Sequence, residues 1–242
     1  MSKRTNAVNG AATAAKDVVP SEPTDNKQKA LLASQNTHFS LVRAMHMADY
    51  ITELNGFCGV SSIFTSLRYC LGDPADKRLL YIALAFLPFG MFFDFMDGRV
   101  ARWRKKSSMM GQELDSLADL ISFGVAPACI AFTIGMRTTV DHFLLTFFVL
   151  CGLTRLARFN VTAAELPHDA SGKASYFEGT PIPMSLGSDA IMAYWVSQGW
   201  TLDQLPLGMW LQGTAFEFHP AALIFVLHGC LMCSKTLHVP KP

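Results

Sequence analysis

Between residues 50 and 235 the chain is divided into six apolar windows, at about 50–70, 79–98, 112–136, 139–158, 184–202 and 219–235. Most approach the roughly 20 residues that a helix needs to cross a hydrocarbon core. On hydropathy the second and third are the strong ones, since 79–96 carries one charge and 120–136 carries none. Extending the windows to full spanning length takes in residues such as Glu53, Asp115, Asp119, Arg155 and Asp189, and charges at membrane depth usually line a cavity or site. Composition agrees with a lipid environment. Of 242 residues, 50% are hydrophobic and 16% charged, against roughly 25% charged in an ordinary soluble domain. This excludes a disordered or fibrous chain. A formal charge of +1 leaves no global basic field, so nucleic acid is not expected as a partner.

The expected fold is all-α and polytopic, with about six transmembrane helices. Residues 1–37 lack aromatics and apolar periodicity and are expected to form a disordered cytosolic tail; 38–242 form the membrane-embedded domain. The opening residues contain no apolar stretch of signal-peptide length, so no cleaved signal is expected. From His38 to Asp49, apolar residues alternate with Arg43 and two histidines as in a short interfacial helix. A six-span arrangement puts sixteen of the twenty basic residues on the side of both termini and of the 2–3 and 4–5 connections. Arg68, Lys77, Arg78 and Arg137 fall opposite, so the termini are expected in the cytosol. On that side the sequon Asn160-Val161-Thr162 escapes glycosylation. The six cysteines, including Cys230-x-x-Cys233, read as reduced and buried packing residues. The seven histidines show no metal-ligand spacing and are expected in ordinary interface roles.

The chemistry-bearing stretch runs from Asp94 to Asp119. On a helix, Asp94, Asp97, Gly98, Ala101 and Arg102 follow at i, i+3, i+4, i+7 and i+8, placing two carboxylates, two small residues and a guanidinium on one face. Gly111, Asp115 and Asp119 share a face of the next helix. The basic segment between them turns the chain at the interface, so four carboxylates converge where two antiparallel spans begin and end. One such aspartate is most simply a capping or interface residue. Four together in a partly dehydrated space repel one another unless cations neutralise them, and oxygen-only ligation suits Mg²⁺, Mn²⁺ or Ca²⁺ rather than zinc. Two such ions can clamp a phosphate chain. Gly98, Ala101 and Gly111 leave room for a flat base and a diphosphate near the backbone, and Arg102 adds fixed positive charge. Phe92, Phe93 and Phe95 read as packing or lipid-facing bulk.

Outside this stretch the candidates divide. Arg155 and Arg158, one turn apart, can present guanidinium groups to a carboxylate or a phosphate, and Arg155 equally suits a snorkelling role. Asn55 can hydrogen-bond a bound ligand or another helix. Glu178 can orient an ammonium or cap its loop. A divalent-cation carrier would also use intramembrane aspartates, but it gives no reason for the glycines and Arg102 beside them.

The pattern Asp94-x2-Asp97-Gly98-x2-Ala101-Arg102-x8-Gly111-x3-Asp115-x3-Asp119 matches without departure the signature of the CDP-alcohol phosphotransferases, which the chain therefore resembles. From His38 onward it is similar to the fungal phosphatidylserine-forming branch. The similarity rests on His46-Met-Ala-Asp-Tyr-Ile, Leu156-Ala-Arg-Phe-Asn-Val and Tyr176-Phe-Glu-Gly-Thr-Pro-Ile-Pro183. The resemblance implies a homodimeric enzyme of the endoplasmic reticulum membrane that consumes CDP-diacylglycerol and L-serine with Mn²⁺ or Mg²⁺, two ions in all. It further implies Asp94, Asp97 and Asp115 as ligands of one ion and Asp94, Asp115 and Asp119 as facing the second, with Asp119 as general base. Asp97, Gly98, Ala101, Arg102, Gly111 and Asn55 are then expected at CDP-diacylglycerol, and Arg155, Arg158, Phe159 and Glu178 at serine.

Overall fold

The first helix, α1 (Met47–Leu71), is inverted relative to a helix of a soluble protein. Its buried face reads Asp49, Thr52, Asn55, Gly59, Ser62 and Ser66, while Tyr50, Leu54, Phe57, Phe64 and Leu67 point outward. Small and polar residues inside with large apolar ones outside is how helices associate in lipid, where close approach and hydrogen bonds replace hydrophobic burial. The computed structural model describes residues 45–104, 109–162, 176–234 and 238–240. The expected tail, and the first part of the expected interfacial helix, lie outside them.

Helix α2 (Arg78–Arg104) returns against α1 along much of its length. Ser62 Oγ donates to the Ala83 carbonyl (2.8 Å), and a Cβ on Gly90 would come within 2.9 Å of Asn55 Oδ1. Pro88 lies inside α2, which continues through it. Next comes one continuous helical rod: α3 (Met109–Asp119), a π-helical turn at Leu120–Val125, then α4 (Ala126–Ile134), which ends at Gly135 with φ 141°. This rod is the most enclosed of the spans. Helix α5 (Thr139–Thr162) packs on the π-turn and on the last long helix. A short strand β1 (Tyr176–Glu178) leads through Thr180 and Pro181 into α6 (Ser185–Gln198). Helix α7 (Leu223–Cys233) is followed by β2 (His238–Pro240), antiparallel to β1.

Among the described residues, six helical bodies thus coincide with the six apolar windows, and the all-α polytopic reading holds, with the three-residue strand pair as an addition. Three of the bodies are long and apolar enough to cross a membrane, at Arg78–Val100, Met110–Ile134 and Thr139–Val161. The last joins the two that hydropathy alone had marked as strong.

Two expectations are corrected. Cys58 and Cys151 are buried, but Cys230 and Cys233 are exposed on α7, because the helix turns its Phe225, His228 and Met232 face inward instead. Two histidines are interior rather than interfacial. His219 donates its backbone N–H to Asp141 Oδ1 (2.9 Å), and its Nδ1 lies 2.6 Å from Oδ2 of the same fully buried carboxylate. His228 is buried against Phe148, with ring centroids 5.5 Å apart.

Candidate active site

Asp94 and Asp97 sit one turn apart near the end of α2, and Asp115 faces them from α3. One carboxylate oxygen from each lies within 4.8 Å of the other two. Helical periodicity explains the convergence: offsets of three and four keep these residues on facing stripes of antiparallel helices. Asp97 is buried and the other two are half-buried, so the cluster is open on one side. Asp115 Oδ1 has no hydrogen-bond partner among the described residues. Three clustered carboxylate oxygens, on residues that include an Asp115 with a buried oxygen lacking a donor among the described residues, fit a hard divalent cation.

Asp119, one turn beyond Asp115, is 9% exposed. Its Oδ1 accepts a hydrogen bond from Asn55 Nδ2 (3.1 Å), and it lies within hydrogen-bonding reach of Asp94. Asn55 is itself held in place. Ser122, in the π-turn, donates to the Asn55 carbonyl (2.9 Å), and α1 approaches that turn so closely that a Cβ on Gly59 would sit 2.6 Å from Ser122 Oγ. The π-turn directly after Asp119 changes the helical register between the residues on either side of it. Asn55 therefore makes the inter-helix bond that the sequence left as one of its alternatives.

Thr52 was not singled out from the sequence. Its Oγ1 donates to Asp97 Oδ2 at 2.6 Å, fixing that carboxylate from α1. The signal was its position in the small and polar stripe of α1, one turn before Asn55.

Gly98 has open space where a Cβ would stand, so the backbone of α2 can be approached there. Gly111 is half-buried at the start of α3. The backbones of Ala101 and Arg102 continue α2, and that of Glu178 lies in β1; the side chains of these three fall outside the described residues.

Arg155 is 7% exposed, which corrects the snorkelling alternative. Its guanidinium interacts electrostatically with Asp119 and with Arg158, yet its Nε has no hydrogen-bond partner among the described residues. Arg158 is half-buried and Phe159 exposed one residue on. Asn160 ties α5 to α3, accepting from Ser116 Oγ (3.1 Å) and donating to Glu113 Oε2 (3.2 Å). Opposed carboxylates, an acceptor-competent Asp119 and nearby guanidinium groups together suit displacement at phosphorus.

Comparison with known proteins agrees. Residues 45–227 match the model of the CDP-alcohol phosphatidyltransferase family. The chain is 53% identical over 228 residues to a Saccharomyces cerevisiae protein named CDP-diacylglycerol–serine O-phosphatidyltransferase, covering 93% of this chain and 82% of that one. A Bacillus subtilis protein of the same name is 35% identical over 137 residues, covering 56% and 68% respectively. An archaetidylserine synthase of Methanothermobacter thermautotrophicus is 33% identical over 142 residues, covering 57% and 54%. With the family's model spanning the region that contains every helix of the site, the chain belongs to the CDP-alcohol phosphatidyltransferase family.

Proposed function

We propose that this protein transfers the phosphatidyl group of CDP-diacylglycerol to the hydroxyl of L-serine, giving phosphatidylserine and CMP. The observation that carries the reading is the clustering of Asp94, Asp97 and Asp115 with Asp119 directly behind them, in a chain 53% identical to a protein named for that reaction. Asp94, Asp97 and Asp115 would hold one divalent ion, and Asp94, Asp115 and Asp119 face the place of a second; Mn²⁺ and Mg²⁺ fit this oxygen set. A bound ion supplies Lewis-acid stabilisation of charge on the phosphoryl oxygens.

The residues of the chain do the rest. Thr52 and Asn55 fix the carboxylates from α1, and Gly98 leaves the backbone of α2 open to the diphosphate. Ala101, Arg102 and Gly111 complete the cytidine diphosphate site. Asp119 accepts the proton of the serine hydroxyl while its oxygen bonds to the phosphorus that carries diacylglycerol. The bond from that phosphorus to the CMP oxygen breaks, and Arg102 balances the charge on the leaving group. Arg155, Arg158, Phe159 and Glu178 surround the amino acid. Residues 38–242 form the membrane domain, which works as a homodimer in the endoplasmic reticulum membrane with both termini and the active site in the cytosol.

The test is CMP release by purified protein supplied with CDP-diacylglycerol and, separately, L-serine, inositol, glycerol 3-phosphate or no acceptor. Serine-dependent CMP with a matching amount of phosphatidylserine is expected. Release dependent on another acceptor would overturn the serine assignment while keeping the carboxylate chemistry.

A further inference from the structure

Among the buried hydrogen-bonding groups that have no partner among the described residues, three outside the carboxylate cluster come from elements that meet at α7. Arg155 Nε belongs to α5, His228 Nε2 to α7, and Thr180 Oγ1 to the segment between β1 and α6. Their residues are 7%, 9% and 6% exposed. Helix α5 packs along α7, and the His228 ring lies against Phe148 of α5, with centroids 5.5 Å apart. The Arg155 guanidinium interacts electrostatically with the His228 ring and with Asp119. The Thr180 backbone N–H donates to the carbonyl of Leu231, one turn along α7 from His228 (3.3 Å).

Buried guanidinium and imidazole groups without partners are costly, and a bound acceptor that reaches both relieves that cost. A carboxylate meets that need, because it offers about four lone-pair sites and can accept from guanidinium, imidazole N–H and hydroxyl at once. Asp119 does not serve: it makes no ion pair with Arg155 among the described residues, and its Oδ1 is engaged by Asn55. The acceptor amino acid fits the space. Its hydroxyl must reach Asp119, and its carboxylate lies only three bonds from that oxygen.

We infer that His228 and Thr180 complete, with Arg155, a pocket for the carboxylate of the acceptor amino acid. This rests on the proposed serine reaction and extends it with two residues whose role is specificity rather than bond-making. The diphosphate of CDP-diacylglycerol is the other anion in reach, and the experiment separates the two.

The full-length protein is assayed by CMP release with L-serine and with serinol, which keeps the hydroxyl and the amine but replaces the carboxylate by a hydroxymethyl group. Wild type should prefer serine strongly. His228→Ala should raise the serine KM at least tenfold, with the CDP-diacylglycerol KM within about twofold of wild type, and should lower the serine-to-serinol ratio of kcat/KM by a similar factor. Thr180→Val should move the same quantities in the same direction by about threefold, while Thr180→Ser and His228→Gln, which retain a donor, recover part of the loss. If His228→Ala does not fold, the Gln and Thr180 variants carry the test. A raised CDP-diacylglycerol KM with serine unaffected would assign the groups to the diphosphate. An equal loss with serine and serinol would make them merely structural, and either result overturns the inference. Failure of wild type to release CMP with serine would instead count against the reaction itself.

Discussion

Asp119 and Asp115 are the same residue type one turn apart, yet their surroundings differ. Asp115 keeps an oxygen without a donor among the described residues, beside two other carboxylates, whereas Asp119 has one oxygen tethered to Asn55 and Arg155 nearby. On the proposed reading, the second oxygen of Asp119 is the one that accepts the proton of the serine hydroxyl. Asp119→Asn retains a side-chain oxygen and removes the basicity, so kcat should fall by about 10²–10⁴ while CDP-diacylglycerol still binds. Full turnover, measured as CMP release beside a binding titration, would remove Asp119 from the role of base. The carboxylates were legible in the sequence because they share one helical period. Thr52 and the Asn55–Asp119 bond were not, since those partners lie 45 and 64 positions apart and only the packing of α1 brings them together. His228 escaped for the same reason: an isolated histidine in an apolar window carries no spacing to read.

Among the elements, α1 determines how well the centre is held. Its small face lets the backbone approach the π-turn, and Gly59 is the tightest point, where an added Cβ would stand 2.8 Å from Ser122 Cα. That neighbour is backbone and cannot rotate away. Gly59→Ala should therefore destabilise the protein by about 1–3 kcal/mol. Because Ser122 also holds the Asn55 carbonyl, the substitution should lower activity more than an alanine on the outer face of α1. An unchanged melting temperature in detergent would contradict this packing account. A second junction ties α5 to the segment before α7. Asp141 accepts from the backbone N–H groups of Thr138 (3.2 Å) and His219 (2.9 Å) and pairs with the His219 ring. Replacing His219 by Ala leaves a buried carboxylate short of a partner, so a loss of about 3–5 kcal/mol is expected in thermal unfolding, and no loss would mean that the pair is dispensable. The apolar windows located the helices these junctions join. The junctions themselves were invisible, because a cap and a loop 78 residues apart share no period.

For the whole molecule, orientation follows from basic residues rather than from packing. With sixteen of the twenty lysines and arginines assigned to one side, tags at either terminus should be open to protease in sealed microsomes, and a tag in the 201–218 segment should be protected. Protection of the N-terminal tag would reverse the arrangement and place the carboxylate centre on the far side. On the proposed orientation the centre would lie at the cytosolic ends of α2 and α3, where a water-soluble amino acid can meet a lipid-anchored nucleotide. The membrane-embedded body was readable from length and hydropathy alone. That α1 is too polar to register as a span by composition, although it packs along α2, follows from its polar face being turned inward.

The central claim is that the carboxylates of α2 and α3 act on phosphorus through divalent cations, with serine as acceptor. The direct measurement is formation of labelled phosphatidylserine from labelled L-serine and CDP-diacylglycerol by purified protein, first stripped by a chelator and then resupplied with Mn²⁺ or Mg²⁺. Product should be absent after stripping and return with the ion, but not in an Asp94→Ala, Asp115→Ala double variant that remains folded. Phosphatidylserine made at the full rate without a divalent ion, or by the double variant, would contradict the account.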